Sequence, residues 1–525
     1  MVNFIKINFI FFIFITTSLC PDADKSRKVL RDCGVPNVPD MAGQQDFAGL
    51  TGSWQLLADD YLVEKKEHIK RTYHPFTKYA GNPLIVADKP WEGRMAYLFG
   101  TVLPNEKEKG YRIWYQSWGG EYADLYARSK DGLTWEKPGL GIIDYKGSKA
   151  NNIFLRRTRE DVLPQVIYTP WEKDSNRRYK LMNYDYGRTK PGHLVSGFWG
   201  AYSPDGIHWT DVLQNPVLKD PGDVGNFVWD AHTHRYIGYP KIFASVRGFN
   251  RRCVGFTATK DFEHWPSTQL ILAPDETDDR WVSRKNQRTE FYGLSGFPYE
   301  SGYIGFLWIF RITDGNNDGP IDVELVSSRD GIKWIREETL NGERRPILPA
   351  GPKGAWDQGM IFTPNHPLIE NKIIKLWYGG VGATHDAPGD SARAGIGLAT
   401  LRKDGFVSLD AGASFGIVTS KPLKNLHGLL RVNANAGSGS LKVEVLTENG
   451  RVIPGFCGKE CKAIHSDGTD LPVSWKHHQH LPDSRGALRL RFILQNAELY
   501  SFMGGEGVDL FHPGKNKIIN LKDEP

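Results

Sequence analysis

One seven-residue motif, Ser-x-Asp-Gly-x-x-Trp, recurs along the chain and constrains its fold more than any other feature. Full copies begin at Ser129, Ser203 and Ser328, a degenerate copy begins at Thr259, and Arg402 starts a copy that keeps only the turn. Asp-Gly forms tight hairpin turns because glycine tolerates the positive φ that they require. The tryptophan is large enough to fill the wedge between neighbouring sheets. Five copies therefore predict a β-propeller of five four-stranded blades.

Each predicted blade opens on a carboxylate that precedes an apolar strand. A propeller gathers the starts of its innermost strands around one end of the central channel, so we expect these side chains to converge. Crowding and burial would then push their pKa values apart, as glycosidic cleavage requires of an acid and an ionised partner. The five carboxylates are Glu92, Asp161, Asp223, Glu290 and Asp357.

The rest of the chain divides around this repeat region. We expect an all-β protein with the propeller over residues 51–420, in which residues 55–64 form the first strand and close the ring. Alternating strands separated by turns, such as Asn449-Gly450, predict a C-terminal β-sandwich over residues 421–510. Residues 21–50 form a polar leader and residues 511–525 a polar tail.

The N-terminus predicts export. Residues 4–17 are apolar and follow the pattern of a secretory signal, which ends near Cys20. This run is too short to span a membrane, and we expect no contact with a membrane once the signal is removed. A lipoprotein is the alternative, although Leu19 stands where a lipobox has a small residue.

Four cysteines remain after such a cleavage, and an even count in a secreted protein permits two disulfide bonds. Cys457 and Cys461 are close enough in sequence to bridge, which leaves Cys33 with Cys253. The net charge of +5 is small for 525 residues. It gives no reason to expect a nucleic-acid partner, and we expect no metal or cofactor.

Further candidates surround the predicted carboxylate cluster. His385 lies on a loop that can overhang the channel, and Asp60 can reach it from the first strand. Trp91 and Trp118 can stack on sugar rings. With Asp161 and Asp357, these four residues are the predicted substrate contacts.

Trp91-Glu92, the repeated motif, Asn151-Asn152-Ile153 and residues 451–456 resemble a family of large secreted proteins described as glycosyl hydrolase family 32-like. More broadly, the chain resembles the five-bladed propeller glycoside hydrolases of families 32, 43 and 68. The resemblance implies cleavage of a glycosidic bond in an oligo- or polysaccharide by two carboxylates. It implies catalytic roles for three residues: Glu92 as nucleophile or base, Asp223 as the second acid and Glu290 as general acid.

Several alternatives remain open from the sequence. The chain lacks the Arg-Asp-Pro and Glu-Cys motifs of the invertase group, so the resemblance does not imply a fructan substrate. A non-catalytic carbohydrate-binding propeller is one alternative, and a sialidase-like propeller is another. A phosphorylase would need a basic pocket, for which Arg94, Arg284 and Arg288 are available.

Overall fold

The computed structural model describes residues 50–510, except residues 106, 120–121, 157–161, 186–187, 191–192, 220, 316, 337, 339–342, 388–392 and 485. Within this part the chain is almost entirely β-structure, as the sequence predicts. The helical elements that it contains are three 3-10 turns, at Pro90–Glu92, Ser175–Arg177 and Thr277–Asp279.

Grouped by antiparallel pairing, the strands between residues 77 and 402 form five sheets, and parallel bridges between Ala394 and Met95 and between Ile321 and Met360 connect three of them. Sheet 1 contains Met95–Pro104, Tyr111–Trp118, Asp124–Ser129, Trp135–Glu136 and Ile153–Leu155. Sheet 2 contains Val162–Tyr168, Tyr179–Asp185, Gly197–Ser203, Thr210–Asp211 and Leu218–Lys219, beside a small hairpin of Arg188–Lys190 and His193–Leu194. Sheet 3 contains Gly225–Asp230, Arg235–Val246, Phe249–Thr259 and Gln269–Leu272. Sheet 4 contains Arg288–Tyr299, Gly302–Ile312, Ile321–Ser328, Trp334–Ile335 and Pro346–Leu348.

Sheet 5 joins the two ends of this region. Its later strands are Met360–Phe362, Leu368–Glu370, Ile373–Val381 and Ala394–Arg402. Its outer edge comes from the start of the region, because Thr77–Lys78 and Ile85–Val86 both pair with Ala394–Arg402. The strand Gln55–Leu56 does not take this place, since it pairs with Phe502 and Ser501.

The repeated motif builds the same turn in each full copy. In the first copy, the Ser129 hydroxyl accepts a hydrogen bond from the Gly132 amide, and Asp131 Oδ1 accepts bonds from the amides of Leu133 and Thr134. Gly132 has a φ of 77°, which favours glycine. The glycine carbonyl then accepts a bond from Trp377 Nε1 of sheet 5, so the turn also joins neighbouring sheets.

Two further sheets pack around one apolar cluster that includes Leu409, Val432, Leu490 and Phe502. One contains Gln55–Leu56, Lys70–Tyr73, Val407–Ala411, Arg431–Asn435, Asp467–Pro472 and Ala497–Met503. The other contains Val63–Glu67, Gly416–Ser420, Leu423–Lys424, Ser440–Thr447, Leu488–Gln495 and Asp509–Leu510. Strands from residues 55–73 and 407–420 thus pair with the C-terminal strands.

The predicted disulfide bond between Cys457 and Cys461 is wrong for this structure, in which both are free thiols. Cys461 N donates to the Cys457 carbonyl in a tight turn, but the two sulfur atoms contact different groups. Cys457 Sγ lies 3.4 Å from Glu460 Oε2, and Cys461 Sγ accepts from the Val443 amide. Cys253 is also a free, buried thiol, and its proposed partner Cys33 lies outside the described residues.

Candidate functional site

Sheet 3 carries a hairpin that is longer than the innermost strand beside it. Gly225, at the start of that strand, pairs with Pro240, whereas the two hairpin strands stay paired as far as Val246 and Phe249. Residues 242–246 therefore extend beyond the start of the innermost strand, together with the partners that they face in the hairpin. This is the end of the ring where the sequence places its carboxylates.

The strand register of this hairpin puts basic and aromatic side chains on one face. Lys241 and Phe243 are two residues apart, and Phe243 pairs directly with Arg252. Side chains two apart on a strand, and side chains directly opposed across an antiparallel pair, share a face. Lys241 is buried, while Phe243 leaves about half of its surface exposed.

The first strand of sheet 4 presents a second row of polar side chains to this hairpin. Arg288 and Glu290 alternate along it and so lie on one face, and Tyr292 follows at a β-bulge, where the pairing with Gly302–Ile312 shifts its register. Arg252 Nη1 lies 2.5 Å from Glu290 Oε2, and Arg288 Nε lies 2.7 Å from Glu290 Oε1. Two guanidinium groups thus bind one buried carboxylate.

Asp223 joins the same cluster through Lys241, whose ammonium donates to Asp223 Oδ1. Burial lowers the pKa of Lys241, and the Asp223 carboxylate opposes this shift. Burial by itself would raise the pKa of Asp223, but Lys241 and Arg252 hold it below its usual range. Asp223 is therefore ionised at neutral pH, and its side chain is 46% exposed.

Tyr292 lies at the centre of the cluster. The Lys241 ammonium is 4.9 Å from the centroid of its ring, and the Arg252 guanidinium carbon is 5.6 Å from it. Its hydroxyl oxygen lies 3.0 Å from His385 Nε2, and His385 Nδ1 lies 2.9 Å from Asp386 Oδ1. Burial lowers the pKa of His385, with Arg252 and Lys241 adding to the shift and Asp386 opposing it.

Buried aromatic rings pack beside this cluster. Phe362 packs against Phe99, Tyr97, Trp308 and Tyr292, at centroid distances of 4.6, 5.3, 5.3 and 5.8 Å. Tyr97, Phe99, Trp308 and Phe362 are all buried. They give the cluster an apolar side, and charges near apolar groups act more strongly than in water.

Glu92 lies in a different environment from the other two predicted catalytic residues. It is fully buried and accepts hydrogen bonds from the amides of Asp88 and Lys89, from Tyr115 and from Lys137. Four donors satisfy this carboxylate within sheet 1 and the loop before it. The structure therefore brings Asp223 and Glu290 into one cluster but gives Glu92 the contacts of a structural residue.

The predicted substrate contacts also lie in different places in the structure. His385 belongs to the cluster through Tyr292. Asp357 binds Lys78 and Tyr378, and Trp91 donates to Asn152. Trp118 is partly exposed and packs against Tyr122, whereas Asp60 pairs with Lys66 and Arg71. Asp161 lies outside the described residues.

Four members of the cluster were not foreseen from the sequence, namely Lys241, Phe243, Arg252 and Tyr292. The alternation of Lys241 with Phe243, and of Arg288 with Glu290 and Tyr292, is a signal that the sequence contains. Polar and charged residues at alternate positions of otherwise apolar strands indicate a functional face.

No family model matches the chain, and no curated protein matches it in sequence. Among solved structures, it is similar to a glycosyl hydrolase from Bacteroides ovatus, with 15% identity, a TM-score of 0.41 and coverage of 63% of this chain and 96% of that one. It is also similar to an N-acetylgalactosamine deacetylase from F. plautii in complex with blood group B trisaccharide, with 14% identity, a TM-score of 0.39 and coverage of 67% and 95%. A third similar structure belongs to the GH130 family of mannoside phosphorylases, described as containing glycoside hydrolases that target beta-1,2 mannosidic linkages in Candida mannan. Its identity is 14%, its TM-score 0.39 and its coverage 62% and 94%.

Among the described residues, no group of three or more His, Cys, Asp or Glu side chains is placed to hold a metal ion. Over the same residues, no helix has the length and apolar character needed to cross a membrane.

Proposed function

We propose that this protein is a carbohydrate-active enzyme that hydrolyses a glycosidic bond at the cluster of Asp223, Lys241, Arg252, Glu290 and Tyr292. The observation that carries the proposal is the gathering of Asp223 and Glu290 around Tyr292 through Lys241 and Arg252, because glycosidic cleavage uses ionised groups placed together at the anomeric carbon. The half-exposed ring of Phe243 beside them offers a surface on which a sugar can stack.

Asp223 takes the main electrostatic role in this proposal. Its carboxylate is ionised and partly exposed, so it can face the positive charge that develops at the anomeric carbon in the transition state. Glu290, the general acid that the family resemblance implies, binds Arg252 and Arg288 and fixes both guanidinium groups in place.

The apolar segment at residues 4–17 leads us to propose further that the enzyme acts after export from the cell. The cluster itself supports one second candidate. Lys241, Arg252 and Arg288 are three cations at one site, and a phosphorylase would use such a group to bind phosphate.

The test is a screen of the purified protein against plant and algal glycans, with and without inorganic phosphate. Products are separated by anion-exchange chromatography, and glycan binding is measured by calorimetry. Hydrolysis without phosphate supports the proposal, whereas sugar phosphates that form only with phosphate identify a phosphorylase. Binding without any product identifies a carbohydrate-binding protein and overturns the enzymatic proposal.

A further inference from the structure

The cluster holds a nucleophile that is not a carboxylate. We propose that Tyr292 is the catalytic nucleophile of this site, with His385 as its general base and Asp386 as the residue that orients the imidazole. This inference rests on the proposed function for its glycosyl-transfer step. Its geometric basis is a chain of contacts from Asp386 through His385 to the Tyr292 hydroxyl, with two cations beside the phenol ring.

The order of these contacts sets the direction of proton transfer. Asp386 Oδ1 is 2.9 Å from His385 Nδ1, although the two are not aligned as a hydrogen bond. The carboxylate favours the tautomer with its proton on Nδ1, which leaves Nε2 to accept from the Tyr292 hydroxyl at 3.0 Å. A base beside a nucleophile, itself oriented by a third group, is the arrangement that activates a weak nucleophile.

The surrounding groups favour the phenolate that this transfer creates. The Lys241 ammonium and the Arg252 guanidinium lie on the ring of Tyr292, and the buried ring of Phe362 packs against it. Positive charges that are already fixed in place stabilise a developing anion without reorganising. His385 is neutral at pH 7, because burial lowers its pKa, and so it can accept the proton.

The reaction then balances without a co-reactant beyond water. The Tyr292 oxygen bonds to the anomeric carbon while its proton passes to His385 Nε2. The bond from that carbon to the leaving oxygen breaks on the opposite face of the sugar, its electron pair stays on the oxygen, and a water molecule on that face gives the oxygen a proton. The hydroxide that remains attacks the anomeric carbon and displaces the tyrosine oxygen, which takes its proton back from His385. Two displacements retain the configuration.

The proposed step uses no carboxylate as nucleophile. Against the effect of burial, Lys241 lowers the pKa of Asp223, and Glu290 binds Arg252 and Arg288. The proton of Tyr292 passes to His385 and later returns. Asp223 contributes its charge alone.

One experiment tests the nucleophile without requiring any glycan. An aryl sulfonyl fluoride reacts with a nucleophilic phenol, forming a sulfur–oxygen bond and releasing fluoride, and peptide mass spectrometry locates the label. We expect Tyr292 to be labelled first, although Tyr79 is more exposed at 43%. We also expect labelling of Tyr292 to fall at least tenfold in His385→Asn. Labelling that follows exposure, or that is unchanged in His385→Asn, overturns the inference.

A second experiment uses a substrate identified by the glycan screen. With a 2-fluoro analogue of that sugar, we expect a glycosyl adduct on Tyr292 and a retained anomeric configuration in the product. Tyr292→Phe should lower kcat by about 10³-fold or more with little change in binding. An adduct on Asp223, an inverted product, or full activity in Tyr292→Phe overturns the inference. If no glycan is hydrolysed, the proposed function fails, while the labelling result still decides whether Tyr292 is nucleophilic.

Discussion

Arg252 Nη1 lies 2.5 Å from Glu290 Oε2, across 38 positions of sequence, and this contact joins the long hairpin of sheet 3 to the first strand of sheet 4. Glu290 is buried and also binds Arg288. The contact therefore holds together the two rows of side chains from which the candidate site is made. Its loss should affect the stability of the protein as well as its chemistry.

Glu290→Gln should lower the free energy of unfolding by about 3–5 kcal/mol, because it leaves two guanidinium groups near a site built for a carboxylate. Urea unfolding monitored by tryptophan fluorescence measures the change. Adding Arg252→Met to Glu290→Gln should recover part of the loss, since it removes one of the unpaired charges. Glu136→Gln, which removes a surface partner of Arg128, should cost about 1 kcal/mol or less. Equal losses in the two single variants would contradict this account of Glu290.

Glu92→Gln should destabilise the protein without a specific effect on catalysis. The substitution breaks the contact with Lys137 in a fully buried site, which should cost about 3 kcal/mol. The folded fraction should keep a kcat within about threefold of the wild type, because Glu92 does not contact the cluster around Tyr292. Thermal unfolding and initial rates on the same samples separate the two effects. A large loss of kcat at full folding would restore Glu92 as a catalytic candidate.

The edge strand that joins the ends of the ring offers a matched pair of substitutions. Ile85 is buried and Val86 is exposed, and they are neighbours on the strand that pairs with Ala394–Arg402. Ile85→Ala should cost about 2–4 kcal/mol, and Val86→Ala about 0.5 kcal/mol or less, in urea unfolding. Similar losses at both positions would show that this strand is not packed as described.

Glu300 should make stability depend on pH. Burial raises its pKa from 4.5 to about 7, Asp404 adds to the shift, and Lys403 opposes it. A group whose pKa is raised on folding contributes stability at low pH and loses it as pH rises through the folded pKa. The free energy of unfolding should thus fall, by an amount on the order of 2 kcal/mol, as pH rises from about 4.5 to about 7. Glu300→Gln should flatten this part of the profile, and an unchanged profile would contradict the assignment.

The sequence predicts the local parts of this structure well. The motif that begins at Ser129 contains its own hydrogen-bond acceptors, so its turn forms from neighbouring residues. The third copy shows the limit of the pattern, because Phe262 adopts a φ of 65° at a position where the other copies use glycine. Tertiary packing supports that conformation, since Phe262 is fully buried.

The site is harder to predict because its membership depends on register and on contacts between sheets. Glu92 and Glu290 both precede or begin an innermost strand, yet donors within sheet 1 satisfy one and arginines between two sheets bind the other. Arg252 reaches Tyr292 from the part of the hairpin that extends beyond its neighbour, and Lys241 reaches it from the base of that part. The spacing of these residues along the chain does not predict which partners they contact.

The most direct test of the central claim is the rate of glycan hydrolysis in Asp223→Asn, compared with the wild type and with Asp470→Asn. Asp470 is a control carboxylate with similar exposure, 40%, that pairs with Arg431 on the C-terminal sheets. The account predicts that Asp223→Asn lowers kcat by about 10²-fold or more while binding stays within about threefold, and that Asp470→Asn leaves both unchanged. Undiminished hydrolysis in Asp223→Asn would contradict the placement of the reaction at this cluster.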